Sequence, residues 1–124
     1  MDPDNLVALN NLAVIHQSQR DVEAVALAER AFGQDPNNAA VADTLGWALV
    51  EFGDAKRGLE LLRKAAVLAP HEPSISYHLG TALANAGEEL EAKELLERVL
   101  RDYPDFPESK DAAALLERLR DSGA

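Results

Sequence analysis

The chain contains no cysteine. That removes disulfide frameworks, thiolate metal sites and a cysteine nucleophile, and leaves either redox compartment open. Aromatic residues are scarce at 5%, with a single Trp. The apolar fraction of 47% therefore falls mostly on Ala and Leu, which are strong helix formers. No apolar run approaches the roughly 18 residues of a membrane span, and the opening stretch MDPDNLVALN has no basic segment ahead of an apolar one. Neither membrane insertion nor a secretory leader is expected. Positive charge is also short, with 12 Lys and Arg against 22 Asp and Glu for a formal net charge of −10. Without a basic stripe, such a chain repels DNA and RNA. Catalytic signatures are missing as well: there is no glycine-rich phosphate loop, no GxSxG, and His16, His71 and His78 lack the spacing of a HExxH-type metal site. A non-enzymatic protein with neither cofactor nor metal is the expectation.

What the sequence does contain is repetition. Pro36, Pro70 and Pro104 are 34 residues apart, and Gly53 and Gly87, Leu45 and Leu79, and Gly46 and Gly80 keep that interval. Gly58 aligns with Ala92, Leu62 with Leu96 and Ala65 with Val99. In the first unit, Leu12 and Ala13 match Leu45 and Gly46 at a spacing of 33, whereas Ala24, Ala28 and Ala31 return to the 34-residue register. One residue is missing, most simply in the turn near Arg20–Asp21. Each unit reads as two helices with apolar stripes at helical spacing, broken at Gly53-Asp54 or Gly87-Glu88 and ended by proline. Gly46, Gly80 and Ala13, with Ala24, Gly58 and Ala92, are small where paired helices must approach closely.

These signals predict one all-α domain of 124 residues. Its units are expected at about 5–36, 38–70 and 72–104, with helices near 5–18, 21–34, 38–52, 55–68, 72–86 and 89–102. A capping helix near 107–120 is opened by Pro107, with Ala112, Leu115, Leu116 and Leu119 on one face and charge on the other. The start has no such cap. Asp2-Pro3-Asp4-Asn5 resembles the inter-unit junction Asp35-Pro36-Asn37-Asn38, so the first helix is expected to expose apolar surface meant for a neighbour and to allow homo-oligomerisation.

The period, the Leu-Gly pair, the turn glycine, the small residue opening the second helix and the closing proline resemble the tetratricopeptide repeat over residues 6–104. A narrower resemblance runs through ALNNLAVIH, DTLGWALVEFGDAKRGLELLRKAA, ISYHLGTALANAGE and FPESKDAAALLERL. These stretches are similar to the C-terminal region of bacterial TPR lipoproteins linked to exopolysaccharide and PEP-CTERM protein-sorting systems. That likeness implies a parent protein of the cell envelope. The tetratricopeptide resemblance implies an α-α superhelix whose first helices line a concave, peptide-binding groove. Carried over by position, the groove presents Asn10, Val14 and Gln17, then Asp43, Trp47, Val50 and Glu51, then Tyr77, Thr81, Ala84 and Asn85.

The first helices carry no Lys or Arg; all 12 cations lie in turns, second helices or the cap. The carboxylate clamp of chaperone-tail-binding relatives is therefore not matched at Asn10, Val14, Thr44, Tyr77 and Thr81. Trp47 and Tyr77 read as an apolar anchor flanked by Asp43 and Asn10, for a neutral or basic peptide or protein. Packing within the repeat is the other reading of Trp47. A purely structural, self-associating segment of a longer array is the alternative to a binding scaffold. His16 reads as a structural residue, His71 as solvent-exposed, and His78 as an edge of the groove. The spacings Glu60–Lys64 and Glu94–Arg98 suit i,i+4 ion pairs.

Overall fold

In the computed structural model, residues 5–122 are described; the Asp2–Asp4 part of the expected junction lies outside them. Seven helices follow one another: α1 (Leu6–Ser18), α2 (Glu23–Gln34), α3 (Ala39–Phe52), α4 (Ala55–Leu68), α5 (Pro73–Asn85), α6 (Glu89–Asp102) and α7 (Ser109–Ser122). Each packs on the next. Starts are set by local chemistry. Asn5, Asn38 and Asp54 accept hydrogen bonds from the backbone N–H of Ala8, Val41 and Arg57 at 3.0, 3.2 and 3.1 Å, covering donors that the first turn leaves free. At α5 a proline at the first helical position replaces the side-chain cap.

The helices form two layers. The backbones of first helices approach one another directly, α1 on α3, α3 on α5 and α5 on α7, whereas those of α2, α4 and α6 approach only the helices that precede and follow them. Close packing on one side and wide spacing on the other bends the stack into a superhelix with α1, α3 and α5 inside. The wide outer gaps are bridged by long side chains. Arg57 of α4 forms a two-pronged pair with Glu29 of α2, both bonds at 2.9 Å, and Arg63 of α4 does the same with Glu91 of α6 at 2.7 and 2.9 Å. The expected i,i+4 pairs Glu60–Lys64 and Glu94–Arg98 are not among the ion pairs of the described residues. Lys64 instead stands 5.4 Å over the Phe32 ring. A further pair links α6 to α7, with Glu97 3.5 Å from Arg120. The Arg63 guanidinium holds the Glu91 carboxyl below its usual range.

The two helices of a unit can lie close together because the seam between them is made of small residues. A Cβ on Gly58 would stand 2.7 Å from the Gly46 carbonyl oxygen and 2.9 Å from a Val50 methyl; one on Gly46 would stand 2.9 Å from Leu62 Cγ. At Gly80 the nearest atom would be Leu96 Cδ2, at 3.0 Å. Ala13, Ala24 and Ala92, at equivalent positions, are fully buried.

Two expectations need correction. The missing residue of the first unit is lost just after Asp21, from the first turn of α2. Asp21 accepts the N–H of Glu23 two residues on, where Asp54 accepts that of Arg57 three residues on, and α2 starts at Glu23 rather than 21. The last helix does not open at Pro107. Phe106 turns into the core, 7% exposed, and the chain bends through Pro107 before α7 begins at Ser109.

The seam yields a paired test. Gly58→Ala should lose about 1–3 kcal/mol of unfolding free energy because the Cβ strikes backbone. Gly33→Ala, where a Cβ meets nothing within 4 Å, should gain about 0.5–1 kcal/mol from helix propensity. Urea denaturation of the two variants measures both.

Candidate functional site

Along the inner face, α1, α3 and α5 turn side chains toward a common groove. Its principal hollow, about 480 Å³, is lined by Val14, Gln17, Ser18 and Arg20 on the α1 side. Asp43, Thr44, Trp47 and Glu51 of α3, His78 of α5 and Glu108 ahead of α7 complete it. A second hollow of about 300 Å³ adjoins it across Trp47, lined by Arg20, Val50, Glu51, Phe52, Thr81 and Asn85. Trp47, half-buried, forms the ridge between the two.

Trp47 is held by its neighbours on α5. The His78 ring stacks on it with centroids 4.4 Å apart and planes 21° from parallel. His78 Nδ1 lies 2.8 Å from Asp43 Oδ1, an arrangement in which Nδ1–H donates to the carboxylate. Both side chains are largely shielded, at 17% and 15% exposure, so this bond between repeats is formed away from bulk water. It fixes the imidazole plane and, through it, one face of the indole.

The groove residues expected from the sequence divide between places. Val14, Gln17, Asp43 and Trp47 share the main hollow, and Val50, Thr81 and Asn85 line the adjoining one. Asn10 lines a separate hollow with Asp43, Thr44, Glu72 and Ser74. Tyr77 lines neither side of the Trp47 ridge. It tilts against Trp47 at 6.4 Å and is tucked toward α7, where burial pushes its phenol pKa up and Asp111 and Glu108 add to the rise. The ring that joins Trp47 at the groove is therefore His78, expected only as an edge residue. His16, expected to be structural, bonds Asp21 at 2.8 Å, and His71 is exposed beside the Tyr103 hydroxyl at 3.5 Å. Asp21 is held below the usual carboxylate range, first by the Glu23 N–H and then by His16.

The groove also contains a cation that the sequence placed only in a turn. Arg20 has φ of 55°, the one non-glycine residue with positive φ among the described residues. Its backbone N–H bonds the Gln17 carbonyl and that of Asp21 bonds the His16 carbonyl, the same pattern that Gly87 and Glu88 make with Ala84 and Leu83. Arg20 thus occupies a turn position where later units have Gly53 and Gly87, at a backbone cost of roughly 1–2 kcal/mol. It lines both hollows. Next to it, both polar atoms of the Gln17 carboxamide are shielded from solvent and have no hydrogen-bond partner within the protein; so is Asn10 Oδ1. Among the described residues, no group of three or more His, Cys, Asp and Glu could hold a metal ion, and no helix is long and apolar enough to cross a membrane.

Paired helices stacked around a shared inner groove define a helical-repeat superhelix. The chain belongs to the tetratricopeptide-repeat family: the family's profile matches residues 49–119. It is 34% identical over 77 residues to Protein FlbA of Caulobacter vibrioides, a match that covers 61% of this chain and 13% of that protein. Among solved structures it is similar to the type III secretion translocator chaperone SycD of Yersinia enterocolitica. That likeness has a TM-score of 0.79 at 22% identity, over 99% of this chain and 88% of that one. It is similar also to the second TPR domain of human RPAP3, solved in complex with the HSP70 peptide SGPTIEEVD. There the TM-score is 0.75 at 19% identity, over 92% and 93% of the two chains.

The stack on Trp47 can be probed directly. His78→Ala should uncover one indole face, shifting its emission to longer wavelength and raising acrylamide quenching. It should also cost about 1–2 kcal/mol, since Asp43 is left shielded without its partner. Fluorescence and denaturant unfolding of the variant check both effects.

Proposed function

We propose that this domain is a non-catalytic scaffold that binds a peptide segment or partner protein in the groove between α1, α3 and α5. The observation that carries the reading is the half-buried Trp47 standing as a ridge between two hollows of mixed polar and apolar lining, braced by His78 rather than covered by the repeat. An indole held in one orientation offers a large apolar contact at little entropic cost. Asp43 is engaged by His78, and Glu51 and Glu108 give the far walls an acidic lining that suits a neutral or basic segment. The peptide complex of the RPAP3 domain supports use of this fold for such a role. The sequence resemblance to exopolysaccharide- and sorting-linked lipoproteins puts the partner, on this reading, within a bacterial envelope assembly. Trp47→Ala should remove most partner capture in a pull-down from a bacterial extract, with a loss of at least tenfold, while its circular dichroism stays helical. Identical partner lists for the variant and the wild type would sink the anchor.

A second reading, self-association through the first unit, is favoured by a specific observation. Leu12 and Ile15 are 44% and 49% exposed, whereas Leu45 and Ala48, their equivalents in the second unit, are fully buried. The face has no formal charge of its own in a chain of −10. Leu12→Glu should abolish any rise of mass with concentration in sedimentation equilibrium. A wild type that stays monomeric to millimolar concentration would exclude this reading.

A further inference from the structure

Arg20 is an expensive residue for its place. The turn between the two helices of a unit is built here on a left-handed backbone position, which a side chain with a Cβ strains and glycine does not. The third unit meets the same requirement with Gly87, at φ 85°. A strained, non-glycine residue retained beside a cavity points to a role for its side chain. That side chain borders the hollows on both sides of the Trp47 ridge, and Arg20 has no ion-pair partner among the described residues, although Glu51 lines the same two hollows.

The wall around Arg20 differs in polarity from the wall opposite. On the α1 side the lining is Val14, Gln17, Ser18 and Arg20, with no acid; Asp43, Glu51 and Glu108 all lie across the groove. The Ser18 hydroxyl is committed to the Ile15 carbonyl at 2.7 Å. The Gln17 carboxamide is not committed, and its N–H₂ is a donor without an acceptor in the protein. Arg20 supplies the donor at the hollow, a guanidinium that can meet a carboxylate with two parallel N–H bonds, and the shielded Gln17 carboxamide lies beside it.

We infer that the Arg20–Gln17 wall is a subsite for a side-chain carboxylate, an Asp or Glu of the bound segment, lying next to the apolar residue that covers Trp47. The partner segment is then bipolar: an acidic residue toward the first unit, an apolar residue on the indole, and neutral or basic residues toward Glu51 and Glu108. This inference rests on the groove being the binding face and adds the chemistry that selects its occupant.

The test is selection from a random 12-residue peptide library displayed on phage, run in parallel on the intact wild-type chain, Arg20→Gly and Trp47→Ala. Arg20→Gly relieves the turn, so its denaturation midpoint should be no lower than that of the wild type, and lost binding cannot be laid to lost fold. Wild type should enrich peptides with Asp or Glu at a fixed distance from an apolar residue. Arg20→Gly should enrich apolar peptides without the acid and bind the wild-type-selected peptides about tenfold or more weakly. Arg20→Lys should recover only part of that affinity, because an ammonium lacks the planar fork. Enriched peptides that lack an acid, or that bind Arg20→Gly as well as wild type while needing Trp47, would overturn the subsite and leave the groove reading standing. Absence of enrichment on the wild type, or equal binding to Trp47→Ala, would overturn both.

Discussion

The approach of α3 to α4 at Gly46 and Gly58 is the constraint from which the rest of the structure follows. A Cβ on either residue would meet backbone or a packed leucine at 3.0 Å or less, so the two helices lie as close as their backbones allow. Gly80 and buried alanines repeat the condition in the neighbouring units. Each unit is thereby a tight pair; between units the first helices touch, while the second helices are linked by Arg57–Glu29 and Arg63–Glu91. These outer pairs are partly exposed and contribute little each, on the order of 0–1 kcal/mol. The apolar seams hold the stack together, and the ion pairs span the gaps between its second helices.

The same geometry makes the groove. Because α3 and α5 are neighbours on the inside, Asp43 reaches His78 and His78 reaches Trp47, although they belong to different repeats. A side chain braced in this way loses little freedom when a ligand covers it. The α1 wall is looser in composition, with Val14 49% exposed and the Gln17 amide unpaired, and it ends in the strained Arg20. Strain and an unpaired polar group on one wall, a stacked indole on the other: the groove departs from ideal repeat packing at the places where recognition chemistry would act.

Much of this was legible in the residues. The 34-residue interval and the glycine, leucine and proline positions that keep it gave six helices and the close seam, and the apolar stripe Ala112, Leu115, Leu116 and Leu119 gave the seventh. Asp54, just after the helix-breaking Gly53, announced the start of α4 by chemistry alone. What periodicity could not give was the relation of non-repeating parts to the groove. α7 packs on α5 near Tyr77, and Phe106 joins the same core cluster from the junction ahead of it, with no apolar counterpart in the other junctions. His78 beside Trp47 is a contact between repeats that a single-unit pattern does not contain. Arg20 had a readable signal: at 33 residues before Gly53 it stands where a turn glycine belongs. The one-residue deletion after Asp21 hid that correspondence.

The central claim is that the concave surface of α1, α3 and α5 is the face this domain uses. Hydrogen–deuterium exchange on the domain with and without its captured partner addresses it most directly. Slowed exchange concentrated in 6–20, 39–52 and 73–86, with α4 and α6 unchanged, is the result the account predicts. Protection confined to the outer helices, with the inner ones exchanging as in the free chain, would contradict it.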